Sequence, residues 1–288
     1  MSAILDDLLH LLTLERIEDN IFRGESRDIG SPRVFGGQVL GQALHAASAT
    51  VEDREIHSLH AYFLRAGSVE APIVYDVDRA RDGRSFSNRR VVAIQHGRQI
   101  FNMTASFQKP EEGLEHQAAM PEVPDPEDLP DVRELTHDVL ESVPEKMRLY
   151  FTYERPFHLR PVGPIALLSD DRLPPRQYLW IRTTDVLPDD PEIHRNLLAY
   201  VSDYQLVATA TLPHGIHFES GNLQLASLDH AMWFHRPFRL DEWLLYSMES
   251  PNMANARGLA RGEFFTTDGR LVASTVQEGL IRIWPGGS

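Results

Sequence analysis

No cysteine occurs in the 288 residues, which excludes disulfides, thiolate metal ligands and a cysteine nucleophile. Lysine is scarce, no block of Lys and Arg is present, and the formal charge is −14. A nucleic-acid binder needs a basic face to displace counterions from phosphates, so that class is excluded. An anionic small substrate stays open, on condition that a local basic patch works against the overall field. No run approaches the roughly 18 apolar residues that span a membrane. Met1–Leu14 lacks the basic and then unbroken apolar stretch of a secretory leader. Its Leu5, Leu8, Leu9 and Leu12 recur instead at helical spacing, with Asp6 and Asp7 between them, and predict a short amphipathic helix. The last residues, Trp284 to Ser288, lack the Ser-Lys-Leu peroxisomal address. A cytoplasmic protein without a membrane or nucleic-acid partner is the expectation. No Gly-x-Ser-x-Gly elbow is present, so a serine hydrolase of the α/β type has no support. Gly113, Gly163 and Gly258 form no phosphate-binding loop.

What is present suffices for a core: 42% of residues are apolar and 24% charged. The length allows one large domain or two of about 140 residues. Between Lys109 and Lys146, Pro110, Pro121, Pro124, Pro126, Pro130 and Pro144 fall among many acidic residues. This stretch reads as a surface connection with little to bury, containing one short helix near Val132–Ser142. It divides the chain into residues 1–108, a connection over 109–146, and residues 147–288.

The two halves repeat one pattern. Tyr62, Phe63 and Arg65 match Trp233, Phe234 and Arg236; Val74 and Tyr75 match Leu245 and Tyr246; Gly97 and Arg98 match Gly269 and Arg270. The offset stays near about 170 positions throughout, which indicates duplication and fusion of one unit. Each unit reads as a helix followed by several strands. His96-Gly97 and Asp268-Gly269 are hairpin signals between β-rich runs. The first helix is predicted at about Phe35–Thr50. The second starts at Asp190 and Pro191, a capping Asp with Pro at the first helical position, and runs through Tyr204. Both have little polar face and are therefore buried. The fold class is α+β, an antiparallel sheet wrapped round a central helix in each unit, with the two sheets joined edge to edge.

Several segments together resemble the acyl-CoA thioesterase II family over nearly the whole chain. They are Phe35–Ala43, Leu59–Leu64, Gly83–Phe86, Val201–Tyr204, Leu228–His235 and Ala273–Gly279. The resemblance implies a double-hotdog fold and hydrolysis of fatty acyl-CoA to free acid and CoA, with no cofactor and no metal. It implies a network of an Asp, a Thr or Ser, and a Gln around a water, which falls on Asp203, Ser227 and Gln277. Many members carry Thr where this chain has Ser227; the hydroxyl is kept and the stiffer β-branched side chain is lost. It also implies a homo-oligomer, dimer or tetramer. An Asp carboxylate can take a proton from an attacking water, and Ser and Gln can orient that water. Asp203 is expected on the second helix, with Ser227 and Gln277 on two strands. No Asp or Glu lies between Ile29 and Val51, so the first unit offers no equivalent base, and one active site per chain is expected.

Other residues read less sharply. Gly36 and Gly37 allow close approach of a backbone to a ligand, or tight packing of helix on sheet. His214, His217 and Glu219 have metal-ligand spacing, but Pro213 and Gly215 favour a loop. Asp229 and His230 are adjacent strand residues facing opposite ways, so they read as structural rather than as an acid–base pair. His57 and His60 read as core or surface, or as lining of the groove; Tyr62-Phe63 and Trp233-Phe234 read as core. A hydratase or dehydratase on the same fold would need His230 or His235 beside a carboxylate. A non-catalytic acyl-CoA binder would have no need of all three network residues.

Overall fold

Alternating burial along ten- to thirteen-residue strands and tight glycine turns between them build one antiparallel sheet. The structure, a computed structural model, describes residues 1–27, 33–134, 154–163, 171–216 and 223–284. The first half contains α1 (Ala3–Leu12), β1 (Glu15–Glu18), β2 (Ile21–Gly24), α2 (Gly36–Ser48), β3 (Glu55–Phe63), β4 (Ile73–Asp82), β5 (Phe86–Gln95) and β6 (Arg98–Gln108). The second contains β7 (Phe157–Val162), β8 (Arg176–Thr183), α3 (Pro191–Val201), β9 (Leu223–Ser227), β10 (Asp229–Phe234), β11 (Leu244–Ala254), β12 (Arg257–Thr266) and β13 (Leu271–Ile283). Strand order is β1-β2-β4-β5-β6-β3-β10-β13-β12-β11-β8-β7, with β9 pairing the end of β13.

The order reads the same from either end, as duplication requires. The equivalent strands β3 and β10 meet antiparallel at the centre, with Leu59 opposite Met232 and Ala61 opposite His230. Joining there removes the exposed edge that each half would otherwise present. The β5–β6 turn places His96 at φ 49° and Gly97 at φ 71°, and Gly269 between β12 and β13 lies at φ 85°. Left-handed residues give a two-residue hairpin turn the twist of its strands.

Inside the sheet, α2 and α3 pack on each other, and α1 lies against both through buried Leu5, Leu8, Leu11 and Leu12. Glycines set how close the central helices come. A Cβ at Gly37 would lie 2.1 Å from Tyr200 O, and one at Gly41 would lie 3.0 Å from Asn196 O. Gly37 and Gly41 are one turn apart, so both face α3.

Three expectations need correction. The second helix ends at Val201, short of Tyr204. Ser202 caps it and Gln205 turns left-handed at φ 57°, so Asp203 sits in the exit turn rather than on the helix. Strand alternation splits the aromatic pairs: Phe63 and Phe234 face the core, while Tyr62 is 58% exposed and Trp233 meets His60 edge-on on the outer face. The acidic connection also does more than cross the surface. Met120, Val123 and Leu129 cover an outer patch of Trp180, Trp243, Leu245, Phe265 and Leu271. Trp180 Nε1 donates to Pro124 O (3.0 Å), and Trp243 Nε1 donates to Glu127 (2.8 Å). Arg160 and Arg182 stack on the Trp243 ring at 4.9 and 4.4 Å. Sparse apolar residues hid this role, because the patch they cover belongs to the sheet. Of the predicted helix near Val132–Ser142, a 3₁₀ turn at Val132–Glu134 is described, and the remainder lies outside the described residues.

Candidate active site

Three segments distant in sequence meet at the exit of α3. Asp203 Oδ1 accepts hydrogen bonds from Gln277 Nε2 (2.6 Å) and Ser227 Oγ (3.3 Å). Its Oδ2 accepts one from the Gly37 backbone N–H (3.1 Å). Gln277 is on the inward face of β13 and fully buried. Ser227 ends β9, opposite Gly279 of β13, and Leu228 hands the chain on to β10 by donating its N–H to Glu278 O (2.9 Å). The three residues singled out in the sequence therefore share one carboxylate.

The fourth member, Gly37, was flagged only as a place of close approach. Its role follows from the start of α2. Phe35 in the capping position provides no side-chain bond, so the first N–H groups need an acceptor from elsewhere. Asp203 supplies it from the other repeat, and the positive end of α2 favours a negative charge there. A helix that begins Phe-Gly-Gly with no Ser, Thr, Asp or Asn is the signal that points to such a partner. Gly36 makes room for it: a Cβ there would lie 2.6 Å from Asp203 Oδ2 and 3.1 Å from the Phe63 ring.

Burial governs the charge of Asp203. Desolvation pushes its pKa up to about 6, against the lowering pull of Gln277, Ser227 and Gly37. As whole residues Asp203 and Ser227 are half-buried, while the carboxylate itself is desolvated. Phe35, Tyr200, Tyr204 and Phe157 form an aromatic cluster beside it, with ring centroids 5.1 to 6.1 Å apart. A carboxylate with a near-neutral pKa next to an apolar wall can accept a proton at physiological pH.

Among the described residues the first repeat has no equivalent set of polar groups. The β3–β6 register pairs Leu59 with Ala105, the repeat equivalents of His230 and Gln277, and both are buried and apolar. Ile56, equivalent to Ser227, is buried too.

The weaker candidates fall elsewhere. Asp229 accepts from the Glu278 N–H (2.7 Å), while His230 is turned inward and fully buried. His235 bonds Ser274 Oγ (2.9 Å) and His57 bonds Ser106 Oγ (2.8 Å). His214 ends a 3₁₀ helix, Val207–His214, where a loop was expected; its apolar residues Val207, Ala210 and Leu212 are buried beneath β12 and β13. His217 and Glu219 lie outside the described residues. Among the described residues no three His, Asp or Glu side chains cluster as metal ligands. No helix there is long and apolar enough to cross a membrane.

Residues 23–108 match the family model for the acyl-CoA thioesterase N-terminal domain, and residues 147–280 match that for acyl-CoA thioesterase. The chain belongs to the acyl-CoA thioesterase family. It is 48% identical to acyl-CoA thioesterase 2 of Haemophilus influenzae, over 98% of this chain and 99% of that one. It is 41% identical to human acyl-coenzyme A thioesterase 8, over 96% of this chain and 88% of that one. The crystal structure of acyl-CoA thioesterase II TesB2 from Mycobacterium marinum superposes with a TM-score of 0.80 at 42% identity, over 97% and 99% of the two chains. This thioesterase has the double-hotdog fold and hydrolyses the thioester of acyl-CoA. Dehydratase structures share the fold at TM-scores of 0.54 and 0.55 with 14% and 10% identity, a likeness of fold alone.

Proposed function

We propose that the enzyme hydrolyses fatty acyl-CoA by direct attack of water, with Asp203 as general base and Ser227 and Gln277 orienting the water. The observation that carries this is the convergence of Ser227, Gln277 and the Gly37 N–H on one carboxylate whose pKa burial raises to about 6. The water oxygen bonds to the thioester carbonyl carbon, and its proton passes to Asp203. The tetrahedral intermediate collapses by breaking the C–S bond, and the departing thiolate takes the proton back from Asp203. The products are the carboxylic acid and CoA, and the carboxylate is regenerated. General base assistance of this kind is worth about 10²- to 10⁴-fold. In the same reading residues 1–108 form the repeat that supplies Gly37 and scaffold, 109–146 connect, and 147–288 form the repeat that carries the three side chains. The proposal places the enzyme in the cytoplasm as a dimer or tetramer, which sedimentation of the full chain would check.

Hydration of an enoyl thioester finds no support in the geometry. His230 is sealed in the core and His235 is held by Ser274. The test is a panel of acyl-CoA substrates from short to long chains, with free CoA read by a thiol reagent, on the parent and on Asp203→Ala. Free CoA from the parent and almost none from the variant is the expected result. A variant as fast as the parent would remove Asp203 from the chemistry.

A further inference from the structure

The bonds around Asp203 leave half of the Gln277 amide unaccounted for. A carboxylate only accepts hydrogen bonds, so the amide NH₂ faces Asp203 and the carbonyl faces away. That oxygen, Gln277 Oε1, is buried without a hydrogen-bond partner among the described residues, and so is His230 Nδ1. Buried polar atoms rarely stay alone, and each such case needs an explanation. The β10–β13 register pairs Met232 with Thr275 and Ala231 with Val276. One step further sets His230 opposite Gln277, and alternation turns both inward, where each is 0% exposed. Gln277 also acts on the imidazole: burial pulls the His230 pKa down to about 3, and the Gln277 side chain opposes that pull. The pair is particular to this repeat, since Leu59 and Ala105 stand at the equivalent places in the other.

We infer that His230 is a positioning residue for hydrolysis: as the Nδ1–H tautomer it donates to Gln277 Oε1 and holds the amide with its NH₂ toward Asp203. This rests on the reading of Asp203 as base. The tautomer is set from the far side of the ring. His230 Nε2 lies 3.0 Å from Ser202 Oγ, whose hydroxyl donates to Ala199 O (2.8 Å). With the proton on Nδ1, Nε2 accepts from the Ser202 hydroxyl, which then turns away from Ala199 O, and His230 gains the bond to Gln277 Oε1 in exchange. With the proton on Nε2, the ring donates to Ser202 and the hydroxyl turns to Ala199 O. The Nδ1 lone pair then faces the Gln277 carbonyl, unless the amide turns over and presents its oxygen to Asp203. Only a protonated Asp203 tolerates that. The row Ser202–His230–Gln277–Asp203 thus has two directions: one gives up the Ser202–Ala199 bond, the other leaves both Gln277 Oε1 and His230 Nδ1 bare, and the ionised base selects the first. The remaining titratable neighbours leave this choice alone. Tyr246 donates to Ser202 O (2.7 Å), on β3 His60 faces outward, and Asp229 and Glu278 lie on the outer side of their strands.

The test combines ring-nitrogen NMR with a variant series on the full chain. In protein labelled with ¹⁵N-histidine at about pH 7.5, the His230 signal, assigned by its loss in His230→Asn, is expected to show a protonated Nδ1 and a bare Nε2. His230→Asn places an amide NH₂ near Nδ1 and is expected to keep kcat within about threefold. His230→Gln reaches the Nε2 place instead, and His230→Leu reaches neither. Both are expected to lose about 10- to 100-fold in kcat with little change in KM, the scale of a misplaced catalytic group. If the Leu variant does not fold, the Gln variant and the NMR signal still decide. An Nε2–H tautomer, or equal losses in the Asn and Gln variants, overturns the inference. An Asp203→Asn enzyme of undiminished rate overturns the base assignment instead, and leaves the tautomer result standing.

Discussion

Replacing Asp203 by Asn removes one ionisable group from a desolvated site, and the structure fixes how stability should respond to pH. In the folded protein the carboxyl titrates at about 6, against a usual 3.8. A raised pKa means that the folded state holds its proton more tightly than the unfolded state. The group therefore contributes stability that is fully present below about 3.8 and is lost as pH rises through 6. A shift of about two units corresponds to roughly 3 kcal/mol over the full range. Between about pH 4.5 and pH 7.5 the accessible part is about 2 kcal/mol. Asn also places its amide NH₂ or its oxygen against the Gly37 N–H, and that cost does not vary with pH. The difference in unfolding free energy, parent minus Asp203→Asn, should thus fall by about 2 kcal/mol from pH 4.5 to pH 7.5. Urea denaturation of both proteins across that range measures it. A flat difference would refute the argument that burial strains this carboxylate, whatever the variant does to activity.

Other perturbations test neighbouring steps. Gly37→Ala drives a Cβ into Tyr200 O, 2.1 Å away, and pushes the Gly37 N–H off Asp203. It should cost about 1–3 kcal/mol in urea denaturation and at least about tenfold in kcat. Ser227→Ala removes the longest of the three bonds, 3.3 Å, and should lower kcat less than Gln277→Leu does; Ser227→Thr keeps the hydroxyl and should retain activity. Phe265→Ala opens the outer patch beneath Met120, Val123 and Leu129 and should cost about 3–5 kcal/mol, with faster proteolysis of the connecting segment.

Much of this architecture was legible because duplication wrote it twice. The matched turns at Gly97 and Gly269 and the matched aromatic pairs mark the two equivalent units and the hairpin in each. Three of the four groups at the site came from motif resemblance. The fourth, Gly37, was hidden because a backbone N–H leaves no trace in residue type beyond the missing cap at Phe35. The end of α3 was misplaced by three residues because Tyr204 continues the apolar period into the turn and still packs against Phe35 and Tyr200. Tyr62 and Trp233 misled for the opposite reason: large aromatics suggest a core, but the period of two along a strand sends every second one outward. The outer patch under the connecting segment could not be read, since it joins Trp180, Leu245 and Phe265 from three strands with a stretch whose composition looks solvated.

The pH dependence of kcat/KM for acyl-CoA hydrolysis, on the parent and on Asp203→Asn, bears on the proposed chemistry without intermediaries. The parent should be level above about pH 7 and fall about tenfold per unit well below pH 6 as the base protonates. The Asn enzyme should be slower by about 10²-fold or more and show no such inflection. A parent rate that crosses pH 6 unchanged, or an Asn enzyme that matches the parent, contradicts the assignment.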